Sequence, residues 1–209
     1  MENRADYPWL EMAKRLQALA QAGLEYCENK YDIDRYNQIR QLSVEIMHNF
    51  TQLPMHKLVD IFASEKGYQT PKVDVRGVVF RDNKILLVRE TIDGCWSVPG
   101  GWADVGLTPF EVACKEVFEE SGLKVTPRRL LAVLDKKRHH HPPDLFHIYK
   151  IFVLCEECGG TLTGGMETSE TGFFGKHELP PLSSPRITVE QINLMFEYKD
   201  NPGKEAVCD

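Results

Sequence analysis

The segment from Gly101 to Leu123 constrains this chain more than any other, because it specifies a loop followed by a helix whose two ends are both marked. Thr108 and Glu111 predict a capping box, and Pro109 suits the first helical position. Gly122 can take the left-handed conformation that ends a helix. The predicted apolar stripe of this helix consists of Phe110, Ala113, Cys114, Val117 and Leu123.

Three glutamates, Glu116, Glu119 and Glu120, lie within about one turn of this helix, since residues three and four apart share a face. Carboxylates this close repel one another unless a cation lies among them. Mg²⁺ prefers carboxylate oxygens and keeps waters and substrate phosphates as its other ligands. The cluster therefore predicts a divalent metal site, for Mg²⁺ or Mn²⁺, that handles a phosphate ester. The alternative is a solvated acidic helix face.

The same segment resembles the signature of the Nudix hydrolases, which runs Gly, five residues, Glu, seven residues, Arg-Glu, aliphatic, any residue, Glu-Glu, any residue, Gly, aliphatic. The matching positions are Gly101, Glu116, Val117, Glu119, Glu120, Gly122 and Leu123. Leu107 stands where the first Glu belongs, and Lys115 replaces Arg, which keeps the charge without the bidentate fork. The resemblance implies an α+β fold, namely a Nudix α/β/α sandwich with a mixed sheet.

The resemblance also implies which residues do the chemistry. The implied metal ligands are Glu116, Glu120, Glu119 and, from the tight glycine loop, the carbonyl of Gly100. Glu119 and Glu120 are also catalytic candidates. Many Nudix enzymes supply a further glutamate from a mobile loop, as a metal ligand or as a base for water. Glu170 is the first candidate for this role and Glu167 the second; two solvated loop carboxylates are the alternative.

Candidate substrate-binding residues lie mostly outside the helix. Arg89, at a predicted strand end, and Arg76 are candidates to clamp a phosphate. His139 and His141 belong to the most basic run of the chain, a predicted loop beginning at Lys136. Gly101 lies where backbone could closely approach a ligand. For Arg89 the alternative is an ordinary surface position, and for the histidines it is binding of stray metal or simple solvation.

The first part of the chain differs from the remainder. Three amphipathic helical segments, at about residues 8–29, 33–50 and 54–64, precede short extended segments and a C-terminal helix. We predict an N-terminal helical domain at residues 1–67, a Nudix domain at 68–200 and a flexible tail at 201–209. Because short helices with wide apolar stripes must bury them, we expect a homodimer through the N-terminal helices. A purely intramolecular cap is the alternative.

Composition excludes several classes of protein. The formal net charge of −6 argues against a general nucleic-acid binder. The N-terminus has no apolar signal core and no run is long enough to cross a bilayer, so that we expect no membrane partner. The six cysteines are then expected to be reduced thiols in the cytoplasm.

Over nearly the whole chain, the resemblance is to bacterial ADP-ribose and CDP-choline pyrophosphatases that carry an N-terminal helical domain. It implies cleavage of a nucleoside diphosphate linked to another moiety, ADP-ribose or CDP-choline, to a nucleoside monophosphate and a phosphorylated product. Leu107 and Lys115 leave open a Nudix-fold module that senses a nucleotide without cleaving it. An RNA-processing Nudix enzyme is a further alternative, and it would need a basic channel.

Overall fold

The computed structural model describes residues 7–51 and 53–209, which divide into two compact units. The first unit comprises the described residues up to Pro71 together with Pro143–Phe146, and the second comprises Lys72–Pro142 and His147–Asp209. None of the helices in the described part of the chain combines the length and the apolar character that a membrane span requires.

The first unit consists of three helices: α1 Pro8–Tyr26, α2 Lys30–Thr51 and α3 Met55–Phe62. The predicted helical segments are therefore confirmed. Their shared core contains Leu10, Ala13, Val44, Met47, Leu58, Phe62 and Ala63. At its margin the rings of Trp9 and Phe50 stack, with centroids 4.9 Å apart.

One face of α1 is not buried in this core. Met12, Leu19 and Tyr26 follow one another at seven-residue intervals, which places them on one side of the helix. Their exposed fractions are 61%, 58% and 73%. In the described part of the chain, Leu19 therefore lies outside the shared core of the three helices.

The second unit is built on a mixed sheet of eight strands: β1 Lys72–Arg81, β2 Lys84–Glu90, β3 Trp96–Ser97, β4 Gly100–Trp102, β5 Leu123–Asp135, β6 Ile148–Gly160, β7 Thr168–Phe174 and β8 Val207–Cys208. The main path has the order β3-β2-β1-β6-β5-β8, while β4 pairs with β1 and β7 pairs with β2. The β1–β6 and β5–β8 pairs are parallel, and the others are antiparallel.

Two helices cover the two faces of this sheet: α4 Pro109–Ser121 and α5 Val189–Asp200. Successive residues of a strand point to opposite faces, so that β1 sends Val75 and Val79 into the core under α4 and Val78 into the core under α5. The arrangement confirms the predicted α/β/α sandwich of an α+β fold.

The ends of α4 lie where the sequence places them. The Thr108 hydroxyl accepts a hydrogen bond from the Glu111 backbone N–H, and the Glu111 carboxylate accepts one from the Thr108 backbone N–H, which completes a capping box. At the other end Gly122 takes the left-handed conformation with φ of 72°, and its N–H donates to the Phe118 carbonyl. The orientation of the helix is thus fixed from both ends.

The C-terminal residues 201–209 are not the flexible tail that we predicted. Val207 and Cys208 form β8, which pairs with Ala132 and Val133 of β5. The Tyr198 hydroxyl donates to the Glu205 carbonyl and accepts from the Val207 N–H, both at 3.0 Å. The prediction was wrong because the backbone groups of an edge strand are partners that local sequence does not reveal.

Replacing Gly122 with Ala should destabilise the protein more than the same change at Gly106. Both glycines have positive φ, +72° and +93°, so that each substitution costs about 1–2 kcal/mol of backbone strain. A Cβ at Gly122 would lie 2.4 Å from the Thr161 carbonyl oxygen, whereas a Cβ at Gly106 meets nothing within 4 Å. Urea denaturation of the two variants measures the difference, and equal losses would contradict the described end of α4.

Candidate active site

The carboxylate of Glu120 lies buried at the end of α4, where its side chain contacts the glycine loop. Its Oε2 atom accepts a hydrogen bond from the Gly100 N–H at 3.0 Å, and the residue is only 7% exposed. Burial raises the pKa of Glu120 to about 8; Arg76 and the Gly100 N–H offset part of this effect, and Glu90 and Glu116 add to it. The site therefore holds a buried carboxylate whose negative charge is incompletely compensated.

Gly100 can make this contact because strand β4 approaches β1 very closely. Its φ is +149°, and a Cβ there would lie 2.1 Å from the Val75 carbonyl oxygen. The contact given by the structure is the N–H of Gly100, whereas the sequence pointed to its carbonyl. At the next residue, Gly101, a Cβ would come within 3.1 Å of Glu116 Oε2, so that this glycine leaves room for a carboxylate.

Glu116 lies beside Glu120 and is largely buried. Burial raises its pKa, Lys115 lowers it, and the nearby charge of Glu119 raises it further. Glu119 is more than half exposed at the edge of the same cluster. The three predicted glutamates thus occupy one end of α4 at three different depths.

Lys115 lies within the acidic cluster. Its Nζ atom lies 3.1 Å from Asp104 Oδ2, 3.3 Å from Glu116 Oε1 and 3.1 Å from Glu119 Oε2. Hydrogen bonds to Glu119 and Asp104 raise the pKa of Lys115. The ammonium group therefore joins the loop before α4 to the helix. The sequence analysis did not identify Asp104 as a partner of Lys115. The available indication was that Asp104 is the one acidic residue between Trp102 and Thr108.

Arg76, a predicted substrate ligand, is buried and bonded to protein groups. Its Nε donates to Asp74 Oδ1 at 2.8 Å, and its Nη1 donates to the Val98 carbonyl at 3.0 Å. Its positive charge acts on both Glu120 and Glu90. Arg76 therefore compensates the charge of buried carboxylates, and it is not the exposed phosphate ligand that we predicted.

Glu90 is a site residue that the sequence analysis missed. It is buried, accepts from the Ser97 hydroxyl at 2.6 Å, and pairs with Arg186 Nε at 3.0 Å. Its charge is close enough to Glu120 to raise the pKa of that residue. The signal available in the sequence was an acidic residue at the end of a strand that is otherwise mostly apolar.

Arg89 and Glu170 pair with each other. Arg89 Nη1 lies 2.6 Å from Glu170 Oε1, and the two residues stand opposite each other on β2 and β7. Glu170 thus lies in a strand and not on the mobile loop that we expected. Glu167 lies just before β7, where its carbonyl accepts from the Thr91 N–H at 3.0 Å. β7 is hydrogen-bonded to α4 through the Thr168 hydroxyl, which donates to the Glu120 backbone carbonyl at 2.7 Å.

His139 and His141 contact residues near the C-terminus rather than the glutamates of α4. His139 Nε2 lies 2.9 Å from Asp209 Oδ2. His141 places Nδ1 2.7 Å from the Ser184 carbonyl oxygen and Nε2 3.1 Å from Gln191 Oε1. The basic run begins as a short 3₁₀ helix, Lys136–Arg138, although we predicted a loop.

The donor set fits a hard divalent cation. No three Cys, His, Asp or Glu side chains of residues 7–51 and 53–209 already converge on a common point. Glu120 and Glu116 are nevertheless neighbouring carboxylates whose charge burial disfavours, and a divalent ion would compensate that charge. Oxygen donors of this kind match Mg²⁺ and Mn²⁺.

Comparison with known proteins agrees with this fold. Residues 7–62 match the model of the UDP-X-like, N-terminal oligomerisation domain, and residues 70–193 match that of the NUDIX domain. YjhB of Bacillus subtilis (strain 168), provisionally named an ADP-ribose pyrophosphatase, is 46% identical over 96% of this chain and 97% of its own. The ADP-ribose pyrophosphatase of Methanocaldococcus jannaschii is 34% identical over 56% of this chain and 69% of its own.

Two solved structures are similar to the chain. The crystal structure of a UDP-X diphosphatase aligns with a TM-score of 0.63 and 31% identity, over 97% of this chain and 98% of the other. An ADP-ribose pyrophosphatase from Streptococcus suis 89-1591 aligns with a TM-score of 0.62 and 41% identity, over 67% of this chain and 100% of the other. Together with the glutamates of α4 and the sandwich around them, these matches show that the chain belongs to the Nudix hydrolase family.

Proposed function

We propose that this Nudix hydrolase is a metal-dependent pyrophosphohydrolase that cleaves a nucleoside diphosphate linked to another moiety. The products would be a nucleoside monophosphate and a second phosphorylated molecule. The observation that carries the proposal is the buried, undercompensated carboxylate of Glu120 beside Glu116. Carboxylates with strongly raised pKa values cluster at functional sites, and a divalent ion would supply the positive charge that Glu120 lacks.

Glu116 and Glu120, with Glu119 at the exposed edge and the carbonyl of Gly100, are the groups proposed to hold Mg²⁺ or Mn²⁺. Such an ion, when bound, neutralises the charge of a diphosphate and lowers the pKa of water. Arg76 and the Gly100 N–H favour the ionised form of Glu120 and fix its orientation. Glu119, Glu120, Glu170 and Glu167 remain the candidates for the base that orients the attacking water.

We propose that the compound hydrolysed is ADP-ribose or CDP-choline. Relatives named ADP-ribose pyrophosphatases support the first, and the UDP-X diphosphatase adds uridine diphosphate compounds as a related class. CDP-choline rests on the sequence resemblance alone. The nucleotide-sensing alternative arose from Leu107 and Lys115, and the contact of Lys115 with Asp104 argues against it, since the loop is still tied to α4.

We further propose that the protein is a homodimer, formed through the helices of an N-terminal domain at residues 1–67 that precedes the catalytic domain at 68–200. The exposed residues Met12, Leu19 and Tyr26 on one side of α1 support this, because large apolar side chains exposed on one helix face are typical of an interface. The match of residues 7–62 to an oligomerisation domain supports it independently. A cytoplasmic location remains a prediction.

Replacing Glu120 with Gln should lower kcat by at least about a hundredfold, because the neutral amide cannot bring charge to the metal or act on water. The free energy of unfolding should not fall, since burial already opposes the charged carboxylate. Steady-state hydrolysis of ADP-ribose with Mg²⁺ and urea denaturation give the two measurements.

Glu156→Gln is the matched control for this experiment, because Glu156 lies exposed on β6 beside Arg128. Its kcat should equal that of the unmodified protein. Full activity of the Glu120→Gln variant would refute the assignment of that residue.

A panel of ADP-ribose, CDP-choline and uridine diphosphate sugars should give a nucleoside monophosphate and a phosphorylated second product from at least one compound. Turnover should require Mg²⁺ or Mn²⁺ and stop when EDTA is added, because the buried carboxylates bind the ion that neutralises the diphosphate. Mass spectrometry identifies the products. Tight binding of a nucleotide without any product, at every metal concentration, would instead favour the sensor.

Leu19→Glu should convert the dimer to a monomer, because a charge in the centre of an apolar interface is buried without a partner. Analytical ultracentrifugation measures the mass of the particle in solution. Val189→Glu is the control, since Val189 is a half-exposed apolar residue at the start of α5, in the other unit. A dimer that survives the change at Leu19 would show that the stripe on α1 is not the interface.

A further inference from the structure

Residues 161–168, which lead into β7, contact the C-terminal end of α4, and we call this segment the α4 clasp. The last carbonyl groups of a helix have no partner within the helix itself. Two such carbonyls of α4 bond to the clasp. The Ser121 carbonyl accepts from the Thr163 N–H at 3.0 Å. The Glu120 backbone carbonyl accepts from the Thr168 hydroxyl at 2.7 Å. A segment from a distant part of the chain thus caps the helix that carries the site glutamates.

The clasp and α4 are in direct backbone contact. A Cβ at Gly165 would lie 2.1 Å from the Glu119 carbonyl oxygen and 3.1 Å from the Glu120 Cα, so that only glycine fits at this position. Because protein interiors are close-packed, a change in the position of the clasp is transmitted to the backbone of these two glutamates.

Thr168 holds both sides of this contact. The residue is 2% exposed, and its hydroxyl donates to the Glu120 carbonyl while it accepts from the Gly165 N–H at 2.9 Å. A hydroxyl group can donate and accept at the same time, so that both bonds coexist. Loss of the hydroxyl would remove a hydrogen bond from α4 and one from the clasp together.

The clasp also holds Glu167, one of the two loop glutamates proposed as the base. The Glu167 carbonyl accepts from the Thr91 N–H at 3.0 Å and from the Thr91 hydroxyl at 2.9 Å. On its other side, the neighbouring Thr168 bonds to Glu120. The Glu170 carboxylate, in contrast, is already paired with an arginine. The backbone of Glu167 is therefore fixed relative to that of Glu120.

We propose that Thr168 is a positioning residue for the hydrolysis of the diphosphate. It acts through the backbone of Glu120, a proposed metal ligand, and through the clasp that carries Glu167. This inference rests on the proposed function, because it gives Thr168 a part in the same site. Loss of a hydrogen bond behind a metal ligand typically costs about 10–100-fold in metal affinity or activity.

Thr168→Ser and Thr168→Cys are the matched pair that tests the proposal, because both lack the threonine methyl group and they differ only in the donor atom. The serine hydroxyl keeps both bonds, whereas a thiol is a weak donor and a weak acceptor. Thr168→Cys should weaken Mn²⁺ binding and lower kcat, each by about tenfold or more, while Thr168→Ser should stay within about twofold of the unmodified protein.

Two measurements separate binding of the ion from turnover. Electron paramagnetic resonance of free Mn²⁺ gives the affinity of each variant for the ion without substrate. Steady-state kinetics at saturating Mn²⁺, on a compound that the unmodified protein hydrolyses, give kcat and KM. The KM should stay within about twofold, because the Thr168 hydroxyl bonds to protein backbone.

Thr188→Cys is the control for a loss of stability alone, because Thr188 is also a buried threonine whose hydroxyl caps a helix, in this case α5. Urea denaturation should show that both cysteine variants are less stable than the unmodified protein. At a temperature at which both are folded, kcat and Mn²⁺ affinity should fall only in Thr168→Cys. Thr168→Ala supplies the same comparison where the cysteine variant does not fold.

Equal kcat and equal Mn²⁺ affinity in Thr168→Ser and Thr168→Cys would overturn the proposal. An equal loss of both quantities in Thr188→Cys would overturn it as well, since lower stability would then account for the effect. Should the unmodified protein hydrolyse none of the compounds, the proposed function fails, while the Mn²⁺ titration still decides whether Thr168 positions Glu120. Absence of Mn²⁺ binding to the unmodified protein would overturn both.

Discussion

The hydrogen bond from the Gly100 N–H to Glu120 is the interaction on which the arrangement of the site depends. It joins strand β4 to α4. Gly100 can occupy this position because it has no side chain, since a Cβ there would clash with the Val75 carbonyl oxygen of β1. The capping box at one end of α4 and Gly122 at the other set the direction of the helix. The side chain of Glu120 therefore lies against the glycine loop at Gly100. Sheet, loop and helix are therefore connected at the carboxylate that carries the proposed chemistry.

Arg76 connects two buried polar regions that would otherwise be independent. Its charge acts on Glu120 and Glu90 on one side, and it shares Asp74 with Lys150 on the other. Loss of the Asp74 carboxylate would leave two buried cations, Arg76 and Lys150, without the partner that they share. The acidic end of α4 and the buried pair of Asp74 and Lys150 are thus parts of one electrostatic system within the second unit.

Local sequence predicted the features that depend on neighbouring residues. The caps of α4, the glutamate spacing and the helical character of the first unit all follow from residues a few positions apart, and the structure confirms them. Partners brought together by the sheet were not predictable in this way. Glu90 reaches the site from β2 and Asp104 from a loop, while Glu170 pairs with Arg89 through the β2–β7 register, which no local pattern specifies.

The C-terminal strand has a consequence for the solubility of the second unit. Edge strands with open backbone groups invite pairing with other molecules. β8 occupies part of the outer edge of β5, and further along β5 Pro127 lacks an N–H while Lys124 and Arg128 carry charge. Two parts of the outer edge of β5 are in this way paired or charged, and both features disfavour the addition of a strand from another molecule.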